Sequence, residues 1–449
     1  MTAPHPGRPR AASTGGHGRS AANPARLTAG WRHPGPASLR EHLDIYGPLP
    51  RVSGRGRAGF LADAVGEAGL TGRGGAGFPT GTKLRAVAAR RGPAVVVANG
   101  MEGEPASAKD HALLTRSPHL VLDGAVLAAE AVRADVVHVC LPRTKPGLAE
   151  QVRDAIADRE RSGVPGAPVE VHDLPHHYVS SEETSLVRWL NGGDARPSGG
   201  LGRPFERGVR RRPTLIDNVE TLAHIALIAR YGPAWFRQAG LPDAPGTMLA
   251  TVSGAVASPG VYEIAVGTPV ADLLGWSRAR PDVSAVLIGG YFGTWHALRD
   301  VAGLPLAAGG LRPVGASPGA GVVVALPEGA CGLAETARVL AYLAGQSAGQ
   351  CGPCAFGLPA IAEDFAELAS GRPGGTVLER LDRRLGVLPG RGACRHPDGA
   401  ARLAASALTA FAADVHLHAR HRPCLAARRG QAGGDVLPIP RPGAEGEWE

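Results

Sequence analysis

Short and longer patterned segments alternate along the first half of the chain. Short apolar segments at 93–99 and 136–141 have the length and valine content of buried strands, and 169–174 is predicted as a third strand. A longer apolar segment at 119–132 and a segment of mixed charge at 149–161 have the length of helices and lie between the strands. This alternation predicts a layered α/β domain.

Two further helices are predicted beyond the third strand. Ser181 is a plausible N-cap for a helix that continues through Leu190, and Pro213–Thr221 enters a long apolar helix that reaches Tyr231. Between them, residues 191–213 form a loop rich in Gly, Pro and Arg, which is either a solvated surface or a site for an anionic cofactor or acidic partner.

The pattern changes after residue 245. Short strand-like runs separated by turns predict a compact β-rich module, and from about Leu333 the chain again has helical character. We therefore expect an α/β fold with five regions. They are a disordered basic tail (1–44), an α/β domain (45–245), a β-rich module (246–325), a helical domain (326–425) and a disordered tail (426–449).

Charge and cysteine content narrow the class of protein. The formal charge is +8, but residues 1–40 hold six arginines and no acid, so a folded nucleic-acid-binding face is not indicated. No apolar run approaches the length of a membrane span, and the N-terminus lacks the hydrophobic region of a signal peptide. Six cysteines in 449 residues do not suggest a disulfide scaffold, and we expect a cytoplasmic chain.

A glycine-rich loop is the most informative motif. Residues 72–81 contain five glycines, with Arg73 and Lys83 near the two ends and a predicted helix after the loop. Bare backbone N–H groups at a helix N-terminus favour a phosphate. The loop lacks the Gly-Lys-Ser/Thr of a P-loop, and a helix rather than a strand precedes it, which argues against a Rossmann fingerprint. A flexible surface loop is the alternative.

Acidic and amide side chains follow the first strand. Asn99, Glu102 and Glu104 stand where an open α/β sheet places ligand contacts, although an acidic turn would have the same composition. Glu182 and Glu183 open the later helix, where acids also serve as ordinary dipole partners.

Three cysteines in the helical region indicate a metal or cluster site. Cys351 and Cys354 form a Cys-x-x-Cys pair with Gly and Pro between them, and Cys394 follows 40 residues later. Inert buried thiols are the alternative. Candidates for a fourth ligand are Cys331, Cys424 and His396.

Together these stretches resemble the NADH-binding flavoprotein subunit of NADH–quinone oxidoreductase, respiratory complex I, from about residue 45 to about 420. The resemblance implies FMN and NADH on the α/β domain, a β-grasp (SLBB-like) module and a C-terminal helical iron–sulfur domain. It implies cofactor contacts at Arg73, Gly74, Gly75, Gly77, Phe78, Lys83, Asn99, Glu102, Glu104, Phe205, Asn218 and Thr221, catalytic positions at Glu182 and Glu183, and cluster ligands at Cys351, Cys354 and Cys394.

Three positions depart from the family pattern. Ala348 stands where the family has its first cluster cysteine, Met101 replaces an Asp in the flavin segment, and Ser181 replaces a Gly. The ligand set for a 4Fe-4S cluster is therefore incomplete, because alanine cannot ligate iron. These changes suggest a paralogue of the respiratory subunit.

The resemblance implies an NADH dehydrogenase flavoprotein that takes hydride onto FMN and passes single electrons through the cluster to a ferredoxin-like or other redox subunit. It has no nucleic-acid partner and no membrane span of its own. One alternative is a degenerate, non-catalytic scaffold subunit with the same fold. Another is a zinc protein that uses the same cysteines.

Overall fold

The computed structural model describes residues 25–50, 57–199, 202–428, 436–440, 443 and 447–449. The predicted disorder of residues 1–24 lies outside this part of the chain. Within it, no helix combines the length and the apolar character that crossing a membrane requires.

Four parallel strands form the sheet of the first domain. They are β1 (Ala94–Asn99), β2 (Ala134–Pro142), β3 (Val169–Leu174) and β4 (Thr214–Asn218), and their order in space is β3-β2-β1-β4. The first three confirm the strands predicted from the short apolar runs. The fourth was not predicted, because its five residues run directly into an apolar helix.

Helices cover this sheet, and their packing depends on small residues. A Cβ on Gly124 would lie 1.8 Å from the carbonyl oxygen of Leu222, so the two helices that carry these residues approach each other at a glycine. The helices are α1 (Leu39–Tyr46), α2 (Arg57–Ala68), α3 (Thr80–Ala88), α4 (Lys109–Arg116), α5 (Pro118–Val132), α6 (Pro146–Arg161), α7 (Glu183–Leu190), α8 (Pro204–Arg207) and α9 (Val219–Phe236).

The strand order creates a switch point between β1 and β4. The chain leaves β1 toward β2 on one side, and it later returns to place β4 on the other side. In open parallel sheets, ligands bind beyond the carboxyl ends of the strands at such a point. Asn99 and Asn218, the last residues of β1 and β4, are register partners there.

A mixed five-stranded sheet forms the second domain, in the order β6-β5-β9-β7-β8. Two antiparallel hairpins flank a central strand that runs parallel to β5, which is the β-grasp arrangement expected from the resemblance. The elements are β5 (Thr247–Gly254), β6 (Gly260–Ala265), α10 (Val270–Trp276), β7 (Val283–Ile288), β8 (Thr294–Ala297), α11 (Leu298–Val301), α12 (Ala308–Leu311) and β9 (Val322–Pro327).

The third domain is helical, as predicted. A π-helical turn, Pro353–Gly357, begins inside the Cys-x-x-Cys segment, includes Cys354 and leads into the second helix. The helices are α13 (Gly332–Gly345), α14 (Leu358–Ala369), α15 (Val377–Val387), α16 (His396–Ala410), α17 (Ala412–Ala419) and α18 (Leu425–Arg428).

The prediction of a disordered tail is wrong for residues 25–44. Leu27 is fully buried, and the backbone N–H groups of Arg26, Leu27 and Thr28 donate to the carboxylate of Glu263 on β6 at 2.8–3.0 Å. Ser38 then begins α1 with a capping box that Glu41 completes. Composition concealed this anchoring because its main partners, the Glu263 carboxylate and the carbonyls of Trp235 and Phe236, lie more than 200 residues away in the sequence.

The predicted C-terminal disorder over 426–449 is wrong where the structure describes that segment. Leu437 is buried, and the carbonyl of Pro438 accepts the hydroxyl of Tyr291 at 2.5 Å. Trp448 stacks on the His177 ring with centroids 3.7 Å apart.

Candidate functional site

Two asparagines stand at the carboxyl ends of the switch-point strands. The Asn99 amide donates to the carbonyl of Ser181 at 2.9 Å, which ties β1 to the segment before α7. The Asn218 side chain accepts the N–H of Glu220 at 3.0 Å and caps α9. Both amides are thus held in place by protein contacts at the edge where a ligand is expected.

The glycine loop lies against this edge. The Gly72 N–H donates to the carbonyl of Phe78 at 2.8 Å and closes the loop. Gly75 and Gly77 have φ of 104° and 65°, which favour glycine, and a Cβ on Gly74 would lie 3.4 Å from the Asn218 Cβ. The loop therefore presents exposed backbone beside Asn218.

The helix after the loop begins without a side-chain cap. Within the described residues, Pro79 is the N-cap of α3 and makes no capping hydrogen bond, whereas Glu182 and Asn218 cap α7 and α9. An uncapped helix N-terminus beside bare glycines is suited to a phosphate. The phosphate seat stays a prediction, since α4, α5 and α6 also begin without a side-chain cap.

Lys83 sits in an acidic environment. Its ammonium lies 2.6 Å from Glu183 and 3.6 Å from Asp217, and it also contacts the carbonyl of Ile216. Burial alone would lower the pKa of Lys83, but Asp217 and Glu183 outweigh it and raise the pKa. Burial also raises the pKa of Asp217 to about 6, against the opposing effect of Lys83.

A second lysine, which is buried, contacts polar groups at the same edge of the sheet. Buried Lys109 lies 2.7 Å from Asp110 and 2.9 Å from Glu220, and it donates to the Asn218 amide oxygen at 3.2 Å. Burial would lower the pKa of Lys109, but the two carboxylates raise it. Although burial opposes ionisation of Glu220, Lys109 lowers the pKa of that carboxyl to about 2.

Arg73 faces the protein rather than the open side of the loop. Its backbone N–H donates to the Thr221 hydroxyl at 2.9 Å, and its guanidinium donates to the Thr247 carbonyl at 3.0 Å and the Thr71 hydroxyl at 3.1 Å. Thr221 and Arg73 therefore lock the loop onto α9 and β5.

The two glutamates after β1 have structural partners. Glu102 accepts the N–H groups of Asp110 and His111 at 2.9 and 3.0 Å, at the beginning of α4. Glu104 accepts the N–H of Tyr291 at 2.7 Å and the hydroxyl of Tyr178 at 2.8 Å. Burial raises the pKa of Glu104 to about 7 despite these bonds.

The Glu182–Glu183 pair divides into two local roles. Glu182 accepts the N–H of Thr184 at 2.9 Å and that of Ser185 at 3.3 Å, so Glu182, not the predicted Ser181, is the N-cap of α7. Burial raises the pKa of Glu182. Glu183 points to Lys83.

Two predicted aromatic contacts lie at different depths. Phe78, at the end of the glycine loop, is 52% exposed. Phe205 on α8 is half-buried, and the Arg90 guanidinium lies over its ring, 5.1 Å from the centroid.

Met101 is fully buried in an apolar cluster with Val95 and Val97, so it fills core space.

The three predicted ligand cysteines converge in the helical domain. The Cys354 N–H donates to the Cys351 carbonyl at 3.0 Å. Burial, together with the neighbouring Cys351 and Cys394 thiols, raises the pKa of the Cys354 thiol to about 12. Ala348 packs against the same core and offers no ligand atom.

The three candidates for a fourth ligand have other partners. The His396 ring bonds to the Leu343 carbonyl at 2.7 Å. Cys331 and Cys424 lie together with His418, with their ligand atoms within 4.8 Å of one another.

Sequence reasoning did not place the Lys109–Asp110–Glu220 cluster among the site residues. The available signal was the scarcity of lysine, since the chain has only Lys83, Lys109 and Lys145. Both lysines near the glycine loop are salt-bridged at the switch point.

Three family models match the chain in the order of its domains. Residues 65–227 match the Nuo51 FMN-binding domain. Residues 249–276 match the SLBB domain, and residues 334–418 match the NADH-ubiquinone oxidoreductase-F iron-sulfur binding region.

Curated relatives cover most of the chain. The F-type subunit of NADH-quinone oxidoreductase in Streptomyces coelicolor is 30% identical over 399 residues, which are 85% of this chain and 89% of that protein. Its counterpart in Salmonella typhimurium is 31% identical over 370 residues, 78% of this chain and 82% of that protein.

Among solved structures, the chain is similar to an NAD+-reducing NiFe hydrogenase in the H2-reduced state. The TM-score is 0.74 at 31% identity, over 81% of this chain. This chain spans 62% of that hydrogenase chain.

Proposed function

The chain belongs to the family of F-type subunits of NADH-quinone oxidoreductase, and from this premise we propose that it oxidises NADH on FMN and passes electrons singly to an iron–sulfur cluster. When bound, FMN supplies the chemistry, because it accepts a hydride and releases electrons one at a time. The protein's own contribution is to bind, orient and balance charge. The observation that carries the proposal is the exposed glycine loop against the β1–β4 switch point.

The residues at the switch point fit FMN. Gly74, Gly75 and Gly77 leave space that side chains would fill, and the uncapped start of α3 offers its N–H groups to a phosphate. Phe78 is exposed at the end of this loop. Arg73 supports the loop from behind through Thr247.

Lys83 is proposed to neutralise the phosphate. Since Glu183 already pairs with it and is 44% exposed at the side chain, a phosphate would exchange places with this carboxylate. Asp217, whose Oδ2 has no hydrogen-bond partner among the described residues, stays behind Lys83. Asn99 and Asn218 would orient the flavin and the ribose.

The proposed NADH contacts are Glu182, Glu183 and Phe205. Glu182 is held at the start of α7 by its capping bonds, and its carboxyl has a raised pKa. Phe205 would stack on the adenine, in which case the Arg90 guanidinium would cover its other face. Glu102 and Glu104 are proposed to shape the pocket through the backbone that they hold.

The cysteine set fits a cluster at three positions. Cys351, Cys354 and Cys394 are free cysteines, and on cluster binding they would supply the thiolate donors that iron–sulfur clusters use. Ala348 leaves the family's remaining position without a protein ligand. We therefore propose a three-cysteine cluster, and among the described residues no feature favours the non-catalytic scaffold alternative.

A redox partner subunit is part of the proposal. The relatives are named as subunits, and we propose that this chain likewise delivers electrons to a ferredoxin-like or other redox protein. All six cysteines lie in the described ranges as free thiols, which suits the reducing cytoplasm that we propose as its compartment.

An anaerobic titration of the FMN-reconstituted chain with NADH tests this function. We expect the flavin absorption to bleach at about one equivalent of NADH per flavin. FMN binding without bleaching would contradict the proposal that the chain oxidises NADH. Failure to bind FMN would favour the alternative of a non-catalytic scaffold subunit. Lys145→Met is the matched control for lysine variants, because Lys145 precedes α6 and takes no part in the ion pairs of Lys83.

A further inference from the structure

A buried group of two cysteines and a histidine lies in the helical domain, apart from the proposed cluster ligands. Cys331 and His418 are fully buried, and Cys424 is 6% exposed. The three residues come from the start of α13, the end of α17 and the segment before α18. Three distant parts of the sequence thus bring two sulfur ligands and one nitrogen ligand together.

The hydrogen bonds of His418 fix which ring nitrogen faces the thiols. Its Nδ1 lies 3.2 Å from the carbonyl oxygen of Leu368, and a carbonyl only accepts, so Nδ1 carries the hydrogen. The lone pair of Nε2 therefore points to the other side, where it accepts the Cys424 N–H at 3.0 Å and lies 4.0 Å from the Cys331 sulfur. A metal ion would take this lone pair in place of the Cys424 N–H, so metal binding would break that hydrogen bond. A histidine that ligates a metal has this same arrangement, with a carbonyl behind the ring.

The spacing is close to that of a metal site. With Zn–S of about 2.3 Å and Zn–N of about 2.0–2.1 Å, tetrahedral geometry puts sulfur and nitrogen ligands about 3.6 Å apart. The Cys331 sulfur and the His418 nitrogen are 4.0 Å apart, and all three ligand atoms lie within 4.8 Å of one another. Contraction by less than about 1 Å would seat an ion.

Charge balance favours a divalent cation. Two thiolates and a neutral imidazole around Zn²⁺ carry no net charge, which removes the cost of an unpaired charge in this buried place. Thiolate and imidazole donors also select soft or borderline metals rather than Mg²⁺ or Ca²⁺.

We propose that Cys331, His418 and Cys424 bind a thiophilic metal ion, with Zn²⁺ as the representative. These residues supply three of the four ligands of a tetrahedral ion that holds segments of the chain together. The ion joins the segment after α17 to the start of α13, and through the Leu368 carbonyl it is backed by α14. Neither the electron-transfer proposal nor the three-cysteine cluster depends on this ion.

Metal analysis of the full chain tests the proposal. We expect about one zinc per chain beside the iron, retained when Cys351, Cys354 and Cys394 are all replaced by serine. In that background, Cys424→Ser should remove the zinc, whereas Cys140→Ser, a buried free thiol elsewhere in the chain, should leave it in place. Cys424 is the preferred variant because it lies in a loop before the short α18.

Binding experiments with Co²⁺ and Cu⁺ identify which ion the site prefers. Co²⁺ in this site should show thiolate charge-transfer absorption that Cys424→Ser abolishes, and binding should raise Tm by mass action. Uptake of Cu⁺ without Zn²⁺ would support the site and assign it to copper.

Two results would overturn the proposal. One is a folded chain, with unchanged apo Tm, that takes up none of the three ions in the triple-serine background. The other is a Cys331–Cys424 disulfide found by mass spectrometry after alkylation of protein purified under reducing conditions. Both results separate this proposal from the NADH titration, which reports on a different site.

Discussion

Competition for Lys83 between Glu183 and a phosphate gives the most direct test of the flavin site. The Lys83 side chain is 21% exposed and that of Glu183 is 44% exposed, and their charged atoms lie 2.6 Å apart. Partly solvated pairs of this kind contribute roughly 0.2–1 kcal/mol. Because a phosphate must displace the carboxylate, Glu183→Gln should tighten FMN binding by up to about fivefold.

Removing the lysine should have a larger and opposite effect. A hydrogen bond to a charged group is worth about 1.5–3 kcal/mol, so Lys83→Met should weaken FMN binding by about 10- to 150-fold. Lys145→Met, the control, should leave the affinity unchanged. Quenching of flavin fluorescence, titrated at constant ionic strength, measures all three affinities.

The double variant decides the mechanism. If Glu183 acts only through Lys83, Glu183→Gln should no longer tighten binding in the Lys83→Met background. The same gain in both backgrounds would refute the competition, and an unchanged affinity in Lys83→Met would refute the assignment of Lys83 to the phosphate.

Three further predictions concern the cluster, the pH dependence and the core. Ala348→Cys should raise the iron content from about three to about four per chain under anaerobic reconstitution, with a matching change in the electron paramagnetic resonance spectrum, and an unchanged count would place the fourth position elsewhere. Folding raises the pKa of Glu104 from 4.5 to about 7, so its contribution to stability is present below pH 4.5 and lost as the pH rises through 7. Urea unfolding at pH 5 and pH 8 should therefore show a loss of about 3 kcal/mol in the wild type relative to Glu104→Gln, and parallel pH dependence would contradict this. Gly124→Ala should destabilise by at least about 3 kcal/mol, because its Cβ would lie 1.8 Å from a backbone carbonyl oxygen, whereas Gly147→Ala, with open space around it, should change the free energy of unfolding by less than about 1 kcal/mol.

The pattern of apolar residues predicted those strands and helices whose structure depends on residues close to them in the sequence. The valine-rich run of β1 is buried on both faces and has no other stable place, so its assignment as a strand needed no knowledge of its neighbours. β4 is different, because Thr214–Asn218 becomes a strand through parallel pairing with β1, more than 100 residues earlier in the chain. The sequence of these five residues alone does not indicate that they pair with such a distant strand.

The candidate site shows the same division. Sequence motifs identified the glycine loop, Asn99 and the three cysteines as candidates, and the family resemblance added Asn218. The partners of the two lysines could not be foreseen from the sequence. Glu183 lies 100 residues after Lys83, and Glu220 follows β4, whereas Lys109 follows β1. The sequence predicted Ser181 as the N-cap of the helix after β3, whereas in the structure the neighbouring Glu182 makes the capping bond.

The anchoring of Arg26, Leu27 and Thr28 by Glu263 has a consequence for synthesis of the chain. Glu263 is 237 residues beyond Arg26, so the N-terminal segment leaves the ribosome long before its acceptor exists. At about 5–20 residues per second, the delay is roughly 10 to 50 s. During that time the first domain, whose core includes Leu27, can fold while the backbone N–H groups of Arg26, Leu27 and Thr28 still lack their acceptor. Some of the earliest described residues to be translated therefore complete their hydrogen bonds only after the second domain has been made.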